Sequence, residues 1–129
     1  MAVKIRAEYL GDDRVELSHG PSGEKIVTDL PADNGGKGRT FSPTDLLAAA
    51  WSSCVLTIMA KAAQKDGLRL EWASIELEKQ MTESAPRRVA VLRGTIVLPK
   101  GLSEAQRSKL MACVHACPVD RSLHPDIRV

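Results

Sequence analysis

Aromatic side chains are scarce in this 129-residue chain: two Trp, one Tyr and one Phe, 3% of the total. Charge of one sign is also lacking, since 18 basic and 16 acidic residues are interspersed and leave a formal net charge of +2. A nucleic-acid surface needs a basic stripe and stacking platforms, and neither is present. Long apolar runs are missing as well. None reaches the roughly 18 residues of a membrane span, so no membrane partner is expected. The opening Met1-Ala-Val-Lys-Ile-Arg6 carries charges where a secretory signal needs an apolar stretch. The expected setting is cytoplasmic, where thiols are kept reduced. There are only three cysteines. In a reducing compartment they point to catalysis, metal binding or core filling rather than to a disulfide framework.

What is present is ordinary for one globular domain: 43% hydrophobic and 26% charged residues. Val3, Ile5, Ala7 and Tyr9 alternate with Lys4, Arg6 and Glu8, the period of a half-buried strand. Turn chemistry at Gly11-Asp12-Asp13 and a second alternating run, 14–18, predict a hairpin. A third strand is expected over 24–29, followed by a Gly-rich loop from Pro31 to Thr40. Ser42, Pro43 and Asp45 form a helix start with a capping box. The apolar stripe that follows runs from position 46 to 62 and is wide and alanine-rich, which predicts a helix buried on most sides and ended by Gly67. Strands are expected over 70–82 and 87–98, the second apolar on both faces, as burial by a partner subunit would require. Ser103 and Gln106 cap a helix running to about residue 116. Pro118 opens a further turn, and Asp126–Val129 reads as a closing strand. Hairpins bracketing helices indicate an α+β fold.

The loop Gly35-Gly-Lys-Gly-Arg-Thr40 lacks the lysine and hydroxyl spacing of a phosphate-binding loop, so a flexible connector is the simpler reading. Cys113, His115, Cys117 and His124 could be zinc ligands, but they lack the second ligand pair of structural zinc sites, and no metal is expected. Cys54 lies well inside the first helix, beyond the reach of its dipole, and on local physics alone is a small core residue. Cys117 stands just before Pro118 at a helix start, where backbone N–H groups favour a thiolate. Local physics therefore makes Cys117 the more acidic thiol.

Two runs resemble the signature of the OsmC/Ohr family of thiol-dependent hydroperoxide peroxidases. The first is Ser42-Pro-Thr-Asp-Leu-Leu-Ala-Ala-Ala-Trp-Ser-Ser-Cys54; the second is Ala116-Cys117-Pro-Val-Asp-Arg-Ser-Leu123. The resemblance covers nearly the whole chain and implies a single OsmC-like domain over 1–129. Its fold would have antiparallel sheets wrapped around a long central helix, in an intertwined homodimer. It implies that Cys54 attacks an organic hydroperoxide as the peroxidatic thiol and that Cys117 resolves the sulfenic acid. An external dithiol, of lipoyl or other type, would then restore both, without a cofactor, in oxidative or osmotic stress defence. The family also uses an arginine that favours the thiolate and a glutamate that orients it. Arg14 is the first candidate for the arginine and Arg39 the second. The glutamate's place holds Thr44, beside Asp45, which reads first as a cap. The alternative that this departure supports is a binding or carrier protein holding an apolar ligand in the dimer cleft.

Overall fold

The computed structural model describes residues 1–129. Its order is β1 (Ile5–Gly11), β2 (Arg14–His19), β3 (Lys25–Asp29), α1 (Pro43–Lys65), β4 (Ser74–Met81), β5 (Val89–Val97), α2 (Glu104–Met111) and α3 (Pro118–Ser122). The fold is α+β with antiparallel sheets, and the chain divides into two compact units, Met1–Leu46 and Leu47–Val129.

In the first unit β1, β2 and β3 form an antiparallel sheet in that order. The β1–β2 connection is a two-residue turn in which Asp12 and Asp13 have φ of 56° and 62°. Such a turn needs left-handed backbone at both positions, and aspartate tolerates that better than most residues. Register places Tyr9 opposite Val15, and Ala7 opposite Leu17, which itself faces Ile26. The hairpin is therefore as expected, but the half-burial is not: residues 5–10 are all exposed, and Val3, Ile5, Tyr9 and Ile26 are 53–68% exposed. The buried residues of this unit are polar: Thr28, Asp29 and Ser42. The Gly-rich loop is not a loose connector. It contains a 3-10 turn at Ala32–Asn34 and returns to the sheet through Gly38 N–H to Leu30 O at 3.1 Å. Ser42 caps α1 as expected, its Oγ accepting from Asp45 N at 3.0 Å while Asp45 Oδ2 accepts from Ser42 N at 2.9 Å.

The second unit holds the whole buried hydrophobic core. Ala48, Trp51, Val55, Met59 and Ala63 form one stripe of α1 within it, together with Val89, Leu92, Leu98, Leu110 and Cys117. The expectation of a helix buried on most sides is corrected here: Leu47 and Ala50 are exposed, and 28% of the helix's most apolar stretch is buried within the chain. A single stripe at helical spacing is what one packed layer can cover. By length and composition alone α1, at 23 residues, is apolar enough to cross a bilayer, a test that the core helix of a soluble protein also meets. Gly67, at φ 69°, ends the helix as expected, with Leu68 N–H reaching back to Ala63 O at 2.8 Å.

Strands β4 and β5 pair antiparallel, with Ile75 opposite Ile96 and Leu77 opposite Gly94. β4 begins at Ser74 rather than near 70, because Trp72 takes a φ of 71° and breaks the extended run. Gly94 lets α1 approach the sheet: a Cβ there would lie 3.3 Å from the Trp51 ring and 3.0 Å from Ile75 Cγ2. Gly94→Val is expected to cost about 1–3 kcal/mol through overpacking. Urea unfolding followed by circular dichroism measures it, and an unchanged midpoint would contradict this packing.

Helix α2 has the expected Ser103–Gln106 capping box, but it stops at Met111 and gives way to a 3-10 turn at Val114–Ala116. The cause lies at Cys117, whose φ of −76° and ψ of 148° are the extended conformation that the following proline demands. The expected closing strand is reduced to one bridge, in which Arg128 O accepts from Leu92 N at 2.8 Å and Arg128 N donates to Ala90 O at 2.9 Å.

Candidate functional site

Cys54 and Cys117, distant in sequence, are brought together in the second unit. Both are free thiols, and Cys54 packs against the core that holds Cys117, near enough for the two side chains to interact. Cys54 is half-buried on the third turn of α1, whereas Cys117 is 0% exposed at the N-cap of α3. The Cys117 sulfur accepts a hydrogen bond from Asp120 N–H at 3.3 Å.

The acidity expected of Cys117 is reversed. Burial pushes its thiol above the ordinary value, and this outweighs the Asp120 N–H bond, which favours the thiolate; contact with Cys54 pushes it up further. A short helix start cannot compensate for complete removal from water. Iodoacetamide is expected to label Cys54 before Cys117 in the folded protein. Labelling of Cys117 should stay low even where a free thiol ionises, about pH 8.5. Peptide mass mapping across pH checks this, and equal labelling at pH 7 would contradict it.

Around the thiols, Trp51 Nε1 donates to Asp120 Oδ1 at 3.2 Å, and His115 Nδ1 approaches the same oxygen at 3.4 Å. Asp120 is 14% exposed and His115 68% exposed. Neither Trp51 nor Asp120 is singled out for chemistry by its sequence context. The available signal is spacing: Trp51 stands one helical turn before Cys54, and Asp120 one turn after Cys117. Beside Trp51 lies a cleft of about 310 Å³ lined by Val91, Leu92, Ile96, Val114 and His115.

The two arginine candidates lie in the first unit. Arg39 is built into a network in which its Nε donates to Asp29 Oδ2 at 2.7 Å and its Nη1 to Asp12 Oδ2 at 2.9 Å. Its backbone N–H also donates to Asp29 Oδ2 at 2.9 Å. The Asp29 side chain is 0% exposed, and its hydrogen bonds with Arg39 hold its carboxyl well below the usual carboxylate range. Arg14 is exposed at the start of β2. Asp45 is occupied in the α1 capping box, and Thr44 Oγ1 lies 3.2 Å from Ser42 Oγ. Cys113, His115, Cys117 and His124 do not converge: no three His, Cys, Asp or Glu side chains are grouped closely enough to hold a metal.

The sequence profile of OsmC-like protein matches residues 36–129, so the chain belongs to the OsmC-like family. A Psychrobacter arcticus 273-4 structure, provisionally described as an osmotic stress induced and detoxification response protein, is 36% identical. It covers 99% of this chain and 93% of its own, with a TM-score of 0.93. The organic hydroperoxide resistance protein OsmC of Legionella pneumophila shares the fold at 20% identity and TM-score 0.75, covering 100% of this chain and 93% of its own. The organic hydroperoxide resistance protein OhrB of Bacillus subtilis does so at 17% identity and TM-score 0.68, covering 100% and 95%. No curated protein matches the sequence.

Proposed function

We propose that this chain is a thiol-dependent peroxidase for organic hydroperoxides, acting in the cytoplasm in stress defence. The observation that carries the reading is the packing of Cys54 beside Cys117, near enough for the two thiols to interact. Cys54, as thiolate, attacks the terminal peroxide oxygen. The O–O bond breaks, the alcohol leaves with a proton, and Cys54 becomes a sulfenic acid. Cys117 then attacks that sulfur, a disulfide forms and water leaves. An external dithiol returns both thiols by exchange and is itself oxidised to a disulfide. Arg14 is assigned to favour the Cys54 thiolate, since Arg39 is committed to Asp29 and Asp12.

The active unit is the whole domain, 1–129, as a homodimer. Two open apolar surfaces support this: the β1–β3 face with Val3, Ile5, Tyr9 and Ile26, and the uncovered side of α1. Sedimentation at micromolar concentration is expected to give the mass of two chains. The enzymatic test is consumption of cumene hydroperoxide with dihydrolipoamide as reductant, with non-reducing mass spectrometry following the Cys54–Cys117 disulfide. If neither peroxide loss nor a disulfide appears, the assignment fails. The carrier reading keeps one observation in its favour, the Thr44–Asp45 pair bound up at the helix cap where the family has glutamate. A lipid or metabolite retained in native mass spectrometry, with no turnover, would select it.

A further inference from the structure

Trp51 and Asp120 each sit one turn from a cysteine, on the same two elements that carry the thiols. Trp51 precedes Cys54 on α1, and Asp120 follows Cys117 on α3. Their 3.2 Å hydrogen bond therefore runs beside the thiol pair and joins the same two turns. Both ends are fixed. The Trp51 ring is 4% exposed and packs on the backbone of Gly94. Asp120 donates its backbone N–H to Cys117 Sγ and accepts from Trp51 at its carboxylate, so one residue touches both the resolving sulfur and the α1 turn.

We infer that Trp51 and Asp120 are positioning residues that form a clasp across α1 and α3, holding Cys117 where its sulfur can close on Cys54. The inference rests on the reading of Cys54 and Cys117 as a redox pair. The clasp leaves the electron balance of the disulfide step unchanged and raises the effective concentration of one thiol at the other. An indole N–H on a low-exposure carboxylate is a charge-assisted bond, the stronger kind. His115 Nδ1 lies 3.4 Å from the same oxygen on the solvent side and adds a second donor in the tautomer or charge state that carries a proton there.

The test needs no peroxide. The Cys54–Cys117 disulfide is equilibrated against oxidised and reduced dithiothreitol, and its effective concentration is read by mass spectrometry after acid quench. Trp51→Phe keeps a ring against Gly94 and removes the N–H; Asp120→Ala removes the acceptor and keeps the backbone donor to Cys117. Each is expected to lower the effective concentration about tenfold, the size associated with losing a hydrogen bond to a charged group. Asp120→Asn retains an acceptor oxygen and is expected to recover most of the loss. Values for Trp51→Phe and Asp120→Ala within twofold of the parent would overturn the clasp, as would Asp120→Asn falling as far as Asp120→Ala. Because oxidised dithiothreitol replaces the hydroperoxide, a protein without peroxidase activity would still show the tenfold changes, which separates the two readings.

Discussion

Cys54→Ser protein is expected to consume no cumene hydroperoxide above the rate of buffer, while Cys117→Ser protein without added reductant consumes about one equivalent in its fast phase. The asymmetry follows from the order of events. Without Cys54 the pair loses its accessible sulfur, because Cys117 is wholly buried and that burial disfavours its thiolate. Without Cys117 the oxygen is transferred once and Cys54 is left as a sulfenic acid with no partner. A sulfenate-selective dione should then mark Cys54, and excess hydroperoxide should drive it on to sulfinic acid. Consumption by Cys54→Ser at the parental rate would show that the thiol pair is not the catalyst. Cys113 is half-buried just past the end of α2, and its thiol donates to Lys109 O at 3.7 Å; Cys113→Ser is expected to leave turnover unchanged.

Arg39→Met is expected to lower the melting temperature on the order of 10 °C, the larger of two contrasting arginine effects. Asp29 lies at the end of β3 with no exposed side-chain surface, and Arg39 supplies both its Nε bond and a 3.1 Å Nη2 bond. Removing the guanidinium leaves a buried carboxylate holding only the N–H groups of Leu30 and residue 39. The sign of the pH dependence follows from the depressed Asp29 value. Its contribution is complete above the range where an unfolded aspartate ionises, about pH 3.9, and is lost as pH falls below that. The parent should therefore weaken on acidification, and Arg39→Met should show less of that loss. Urea unfolding at pH 7 and pH 3 measures both limbs. Arg14→Met, by contrast, should leave melting unchanged and slow peroxide consumption. If Arg14→Met is fully active, the activating cation is another residue.

Local signals in this sequence were reliable where one element decides the outcome. Ser42 and Asp45 form their capping box, Gly67 closes α1, and the alternation of Val3 to Tyr9 matches the pairing of Ala7 with Leu17. They failed where distant residues decide. The wide apolar stripe of α1 could not be divided by inspection into the side that meets Leu92 and Leu110 and the side left open, because apolar residues such as Leu47 and Ala50 continue onto the open side. The thiol of Cys117 looked acidic from its place before Pro118, but the burial that overrides this comes from packing no nearby residue reveals. Nothing adjacent to Asp29 in the sequence marks it as the centre of a network, and only the returning loop places Arg39 on it. Asp120 was readable only as a motif letter, and its bond to Trp51 spans most of the second unit's sequence.

The unequal exposure of the two sulfurs also fixes the direction of regeneration. In thiol–disulfide exchange the incoming thiolate must reach one sulfur in line with the bond that breaks. Cys117 offers no surface, whereas Cys54 is partly open. The mixed disulfide should therefore form on Cys54, and Cys117 is the departing group. A departing thiol whose burial disfavours the anion leaves slowly, so it must take up a proton as the bond breaks. Reductants that combine a reactive thiolate with a nearby acid should outpace simple monothiols, a selectivity set by the depth of the resolving cysteine.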